Sequence, residues 1–176
     1  MTATDQPTIH ASAVRVGSQA VLIRGPSGAG KSRLAFDLML AGLAGQLPET
    51  LLIGDDRIVI ARDGDVVMAR PAPALAGLIE IRGLGIRRCA FAPEAPIGLI
   101  VDLDAADAER LPAAIALRTT FEGINIPRIP VAPGWNPFPL VVAALTTDPG
   151  ANPDGDSPQD CRKDFGNHIS PTIATD

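Results

Sequence analysis

Between about Ile9 and Ala144 the chain alternates short apolar runs with turn-forming residues. The runs Ala13–Val16 and Ala20–Arg24 are too short for helices and rich in β-branched residues, so each predicts a strand. A different period follows. Leu34, Ala35, Leu38, Met39 and Ala41 recur at the spacing of one helix face, which predicts a helix over about Lys31 to Ala44. Beyond it, Leu51–Gly54 reads as a strand. Ile58–Arg62 and Val66–Arg70 read as two antiparallel strands joined by the turn Asp63-Gly64-Asp65. Further strands are predicted at Ile79–Arg82 and Ile97–Leu103. A proline-rich connection is expected around Ile126–Val131, and a last helix at about Pro139–Leu145. Many strands and few helices imply an α/β fold built on a mixed sheet with flanking helices, and no internal repeat is visible.

The pattern changes after Thr147. The stretch Asp148-Pro149-Gly150-Ala151-Asn152-Pro153-Asp154-Gly155-Asp156-Ser157-Pro158 is acidic, turn-forming and poor in large apolar groups. Residues 1–146 are therefore expected to form one folded domain, and 147–176 a disordered tail. A length of 176 residues suits a single domain with a substantial core. Aromatic residues make up only 3%, so packing must rest on small aliphatic side chains. The net charge of −5 and the lack of interleaved basic and aromatic residues disfavour a nucleic-acid or anionic-membrane surface. Cys89 and Cys161 lie far apart without C-x-x-C spacing, which argues against a structural disulfide or a zinc site. Neither a signal peptide nor a membrane-length apolar run is apparent, so a cytoplasmic location is expected.

Candidate chemistry begins at Val21-Leu22-Ile23-Arg24-Gly25-Pro26-Ser27-Gly28-Ala29-Gly30-Lys31-Ser32, an apolar strand running into a G-x-x-x-x-G-K-S loop and then a helix. In such a phosphate-binding loop (P-loop) the glycines let backbone N–H groups crowd around anionic oxygens. The lysine reaches the terminal phosphates, and the hydroxyl of Ser32 can ligate Mg²⁺. Lys31 and Lys163 are the only lysines in an arginine-rich chain, so Lys31 is not compositional background.

Leu51-Leu52-Ile53-Gly54-Asp55-Asp56 is an apolar run ending in carboxylates, placed where an open α/β sheet displays functional groups. Phosphoryl transfer needs one acid to hold Mg²⁺ and another to accept the proton of the attacking hydroxyl. On their own, paired aspartates after a strand are equally a solvated turn. In Ile79-Glu80-Ile81-Arg82-Gly83-Leu84-Gly85, a strand through Arg82 would put Glu80 and Arg82 on one face, either as an exposed ion pair or as a metal ligand beside a charge-stabilising arginine. His10 precedes the first predicted strand and by itself reads as a surface or capping residue. Arg110 reads as a solvated arginine, and Trp135 as a packing residue in a rigid turn.

Taken together, these segments resemble the catalytic domain of HPr kinase/phosphorylase, the bacterial enzyme that phosphorylates a serine of the phosphocarrier HPr. The resemblance rests on His10, Gly25-Pro26-Ser27-Gly28-Ala29-Gly30-Lys31-Ser32, Asp55-Asp56 and above all Glu80-Ile81-Arg82-Gly83-Leu84-Gly85-Ile86, and it covers about Ile9 to Leu145. It implies a P-loop-containing fold like that of HPr kinase and phosphoenolpyruvate carboxykinase, in the short form found in alphaproteobacteria. It further implies ATP as phosphoryl donor and Mg²⁺ as cofactor, with the P-loop residues binding nucleotide and Ser32 and Glu80 holding the metal. Asp55 would then accept the proton of the substrate serine, Lys31 bind phosphate, and His10, close to Asp55, and Arg110 support catalysis. HPr is the implied partner, and a homo-oligomer is compatible with the family.

Two departures bear on the reaction. Arg33 stands where the long enzymes commonly have Glu. The element Pro-Val-Arg-Pro-Gly-Arg, associated with dephosphorylation, reads Pro130-Val131-Ala132-Pro133-Gly134-Trp135 and lacks both arginines. Kinase activity is therefore expected and reverse phosphorolysis is not. Two other readings stay open: a nucleotide-responsive binding module without turnover, and a small-molecule kinase.

Overall fold

The computed structural model of the protein describes residues 7–149. Eleven strands and two α-helices follow one another in it. The strands are β1 (Thr8–His10), β2 (Ser12–Val16), β3 (Gln19–Arg24), β4 (Thr50–Gly54), β5 (Arg57–Asp63) and β6 (Val66–Pro71). They continue as β7 (Leu78–Ile81), β8 (Gly85–Arg88), β9 (Ala95–Leu103), β10 (Arg118–Phe121) and β11 (Ile124–Val131). Helix α1 (Lys31–Leu43) follows β3, and α2 (Pro137–Thr146) follows β11. Short 3-10 turns occupy Pro73–Leu75 and Ala114–Leu117.

Nine of these strands form one mixed sheet in the order β1-β5-β6-β9-β3-β2-β4, with β11 and β10 branching from β9. The apolar run Ala20–Ile23 of β3 lies in the interior of this order and is buried throughout, as expected where both faces of a strand are covered. It runs parallel to β9, with Ala20 opposite Ile97 and Arg24 opposite Asp102. The far half of β9 also pairs in parallel with β11, setting Arg128 opposite Ile100 and Val131 opposite Leu103. Strands β2, β4, β5 and β6 join by antiparallel pairing. Strands β7 and β8 form a separate hairpin.

Because side chains alternate along a strand, each central strand feeds two cores. Val14, Val16, Val21, Ile23 and Val101 pack with Leu34, Leu38 and Met39 of α1 and Val141 of α2. Ala13, Ala20, Leu22 and Ile100 face the other way and meet Ile53, Ile58, Val67 and Ile126. The α/β, mixed-sheet expectation thus holds, with the helices collected on one core.

Several local expectations change. Residues 126–131, expected as a connection, belong to β11 despite Pro127 and Pro130. Each half of that strand pairs on one side only, residues 124–127 with β10 and 128–131 with β9, so a ring can lie at an unpaired edge. Strands β1, β8 and β10 are additional to the predicted ones. Strand β7 ends at Ile81, and Arg82 lies in the following turn, closed by the Leu84 N–H donating to the Ile81 carbonyl at 2.9 Å. The positive φ of Gly83 and Gly85, 89° and 78°, makes that turn possible, so the shared strand face expected for Glu80 and Arg82 does not form. Of the expected tail, residues 150–176, with Cys161, lie outside the described residues.

Candidate active site

The phosphate loop leaves the end of β3 and enters α1 with Gly30 as its N-cap. Gly25 has a φ of 147°, and a Cβ there would lie 2.9 Å from the Cβ of Leu103, so the loop begins in close contact with the end of β9. Gly28 and Gly30, at φ of 82° and 96°, have no atoms within 4 Å of where a Cβ would stand. Their missing side chains leave open space beside the loop. No side chain caps the helix at Gly30 and its first turn holds no acidic residue, so the orphan N–H groups of that turn suit an anion. Glycine loop, uncapped helix start and lysine together fit the phosphates of a nucleotide.

Lys31 is only 6% exposed. Its ammonium donates to the carbonyl oxygens of Gly25 and Pro26 at 3.0 and 2.9 Å, closing the loop on itself. Burial pushes its pKa below the ordinary lysine value, against the opposing pull of the nearby Asp55 and Asp56 carboxylates.

Asp55, just past the end of β4, is also 6% exposed. Its Oδ1 accepts the Ser12 hydroxyl at 2.5 Å and the Ser32 hydroxyl at 2.9 Å, while Oδ2 accepts the Glu80 backbone N–H at 3.1 Å. One carboxylate thereby joins β2, α1 and β7, and the sequence-predicted Lys31, Ser32, Asp55 and Glu80 are gathered around it. The chain then turns sharply: Asp56 adopts a φ of 68°, and the Arg57 N–H donates to the Asp55 carbonyl at 2.8 Å. This turn points the two aspartates to different surroundings. The resemblance placed His10 close to Asp55; the structure sets its Nε2 3.3 Å from Oδ1 of Asp56, both side chains being half or more exposed. The Glu80 side chain is exposed. With the hydroxyl of Ser32 it offers hard oxygen donors of the kind Mg²⁺ takes while keeping waters and phosphate oxygens as its other ligands. Arg110 stands exposed in the connection after β9 and forms no hydrogen bond or ion pair with another described residue.

Sequence reasoning missed Ser12, a fully buried serine at the start of β2. It also missed a charged network behind the loop. Arg24 grips Asp102 with Nε and Nη2 at 2.7 and 2.8 Å. Arg128 donates from Nε to the same carboxylate at 2.5 Å, and from Nη1 and Nη2 to Asp107 at 2.6 and 2.9 Å. Burial alone would raise the Asp102 pKa, but the hydrogen bonds and charges of Arg24 and Arg128 outweigh it and hold the carboxyl below its usual range. The first of these pairs is set by the parallel register that puts Arg24 opposite Asp102, 78 residues away, and no local string marks it.

Residues 2–151 match the HPr Serine kinase C-terminal domain. The chain is 34% identical over 151 residues to the HPr kinase/phosphorylase of Geobacillus thermodenitrificans, covering 78% of this chain and 47% of that protein. It is 30% identical over 153 residues to that of Streptococcus equi subsp. zooepidemicus, covering 80% and 47%. The chain thus spans about half the length of these curated relatives. The solved structure of the Hpr(Ser) kinase/phosphatase from Coxiella burnetii is similar in fold, with a TM-score of 0.64 at 24% identity over 80% of this chain and 88% of that one. On the extent of these matches, the chain belongs to the HPr serine kinase C-terminal domain family.

Proposed function

We propose that the protein is an ATP- and Mg²⁺-dependent kinase that phosphorylates a serine of HPr in the cytoplasm, and so adjusts the phosphotransferase system and carbon metabolism. The observation that supports this reading is the hydrogen bond from the Ser32 hydroxyl to the buried Asp55 carboxylate beside Lys31, a direct contact between the candidate metal ligand and the candidate base. No helix among the described residues is long and apolar enough to cross a membrane.

Lys31 exchanges the carbonyls of Gly25 and Pro26 for phosphate oxygens, which recovers for the ammonium the partner that burial demands. Ser32 and Glu80 would hold Mg²⁺, which supplies charge neutralisation on the transferring phosphoryl group. When the Ser32 hydroxyl leaves Asp55, a lone pair on Oδ1 becomes available. The substrate serine gives its proton to Asp55 as its oxygen bonds to the γ-phosphorus, and the bond from that phosphorus to the departing ADP breaks. His10 holds Asp56 at the rim, and Arg110 meets the charge that develops on the phosphoryl oxygens. The reverse reaction would have to seat an extra inorganic phosphate. Ala132 and Trp135 supply no cation for it in the segment after β11, so the forward direction dominates.

The test is the intact mass of HPr after incubation with the protein, ATP and Mg²⁺. One added phosphate is expected, with Asp55→Asn slowing its appearance about 10²–10⁴-fold while ATP still binds. Undiminished transfer by Asp55→Asn would reject the assigned base. ATP binding with no added mass on HPr would reject the kinase in favour of a nucleotide-responsive binding module.

A further inference from the structure

The connection from Asp104 to Leu117 carries Arg110 but little that could fix it in place by packing. Leu111 and Ile115 in its middle are 84% and 86% exposed, so burial of apolar surface does not hold it. Hydrogen bonds tie it to β11. The Ala105 N–H donates to the Val131 carbonyl at 2.9 Å. Asp107, three residues before Arg110, receives the two-pronged grip of Arg128 at 2.6 and 2.9 Å. The same guanidinium donates to the carbonyl of Ala116, on the far side of Arg110, at 3.2 Å. Arg128 therefore staples both flanks of the stretch that presents Arg110. Through Asp102 it also meets Arg24, the residue immediately before Gly25, while Gly25 rests on Leu103, the last residue of β9 before the connection.

We propose that Asp107 and Arg128 are positioning residues, which hold Arg110 at the carboxyl end of β9 in fixed relation to the start of the phosphate loop. The role of Arg110 in transfer rests on the kinase reading above; the tether itself rests only on the geometry. A planar guanidinium that accepts no substitute for its forked donors can satisfy Asp102, Asp107 and the Ala116 carbonyl together, whereas a lysine offers one point charge in their place. An arginine that must meet charge appearing only in the transition state has to be held ready, because small misplacement lowers the rate steeply.

Two readouts test this together in the full chain: the rate of trypsin cleavage between Arg110 and Leu111, and steady-state phosphorylation of HPr. Asp107 is exposed, so Asp107→Asn leaves the core intact. It is expected to speed that cleavage several-fold and to lower kcat about 10–100-fold with the KM for ATP unchanged. Arg128→Lys should act in the same direction. In an Arg110→Ala background, Asp107→Asn should cost no further activity, since the residue it positions is gone. Unchanged cleavage in both single variants would overturn the tether. Losses that add across Asp107→Asn and Arg110→Ala, or an undiminished kcat, would overturn the positioning role. Accelerated cleavage in a protein that never phosphorylates HPr would sink the kinase reading and the role given to Arg110, leaving the tether standing.

Discussion

Asp55 is satisfied by three donors from three elements, which gives each donor a measurable part in holding the site. Ser12 offers the most direct test, because it is fully buried and its hydroxyl donates to the Asp55 carboxylate. Ser12→Ala removes a hydrogen bond to a buried carboxylate and puts nothing in its place. The expected cost is about 1–3 kcal/mol in urea unfolding. A stability equal to that of the parent protein would show that the Asp55 carboxylate does not depend on it. At this scale the sequence exposed the residues that sit in a recognisable local string: the loop from Gly25 to Ser32, Asp55, and Glu80. Ser12 has no such string. It stands between two alanines, and its partner is 43 residues away. The partners Arg24 and Asp102, 78 residues apart, were hidden for the same reason.

Among the elements, α1 shows how tertiary contact overrides local preference. Gly42 lies in its last turn, where alanine would be the better helix former. A Cβ there would meet Cβ and Oγ1 of Thr50 at 2.7 Å and the Thr50 backbone nitrogen at 2.9 Å, because the end of α1 is drawn tightly onto the start of β4. Gly42→Ala is therefore expected to destabilise the protein by about 1–3 kcal/mol, read as a lowered urea midpoint. A raised midpoint would show that helix propensity wins. The elements visible in the sequence, β2 to β7, β9, α1 and α2, are those announced by an apolar run, a helical period or a turn signal. Strand β8 is exposed along its whole length and held by pairing with β7, so no apolar alternation announces it. The three residues of β1 are too few to show a period. In β11 the two prolines spoke for a loop, and only the one-sided pairing of each half explains why a strand tolerates them.

For the molecule as a whole, the charges behind the phosphate loop set the response to acid. The folded-state pKa of Asp102 lies below its unfolded value, so the stability it contributes is complete at neutral pH and is lost as pH falls through the folded value. Urea midpoints should therefore fall as pH is taken below about 4. Asp102→Asn leaves Arg24 and Arg128 facing an uncharged partner and should cost about 2–3 kcal/mol at pH 7. Its further loss in acid should be smaller than that of the parent; an identical acid profile would remove Asp102 from this account. The same strands impose an order on assembly. Strand β3 pairs with β9 and β9 with β11, parallel neighbours drawn from distant parts of the chain, and such pairings close only after long loops have been ordered. During synthesis, the whole Gly25–Ser32 string leaves the ribosome well before β9 exists. Until β9 docks, Gly25 has no Leu103 to rest on and Arg24 has no Asp102 to grip. The nascent chain thus carries the complete phosphate-loop string before it can take its folded shape, and the contacts that shape it become possible only once synthesis has passed the end of β9 at Leu103.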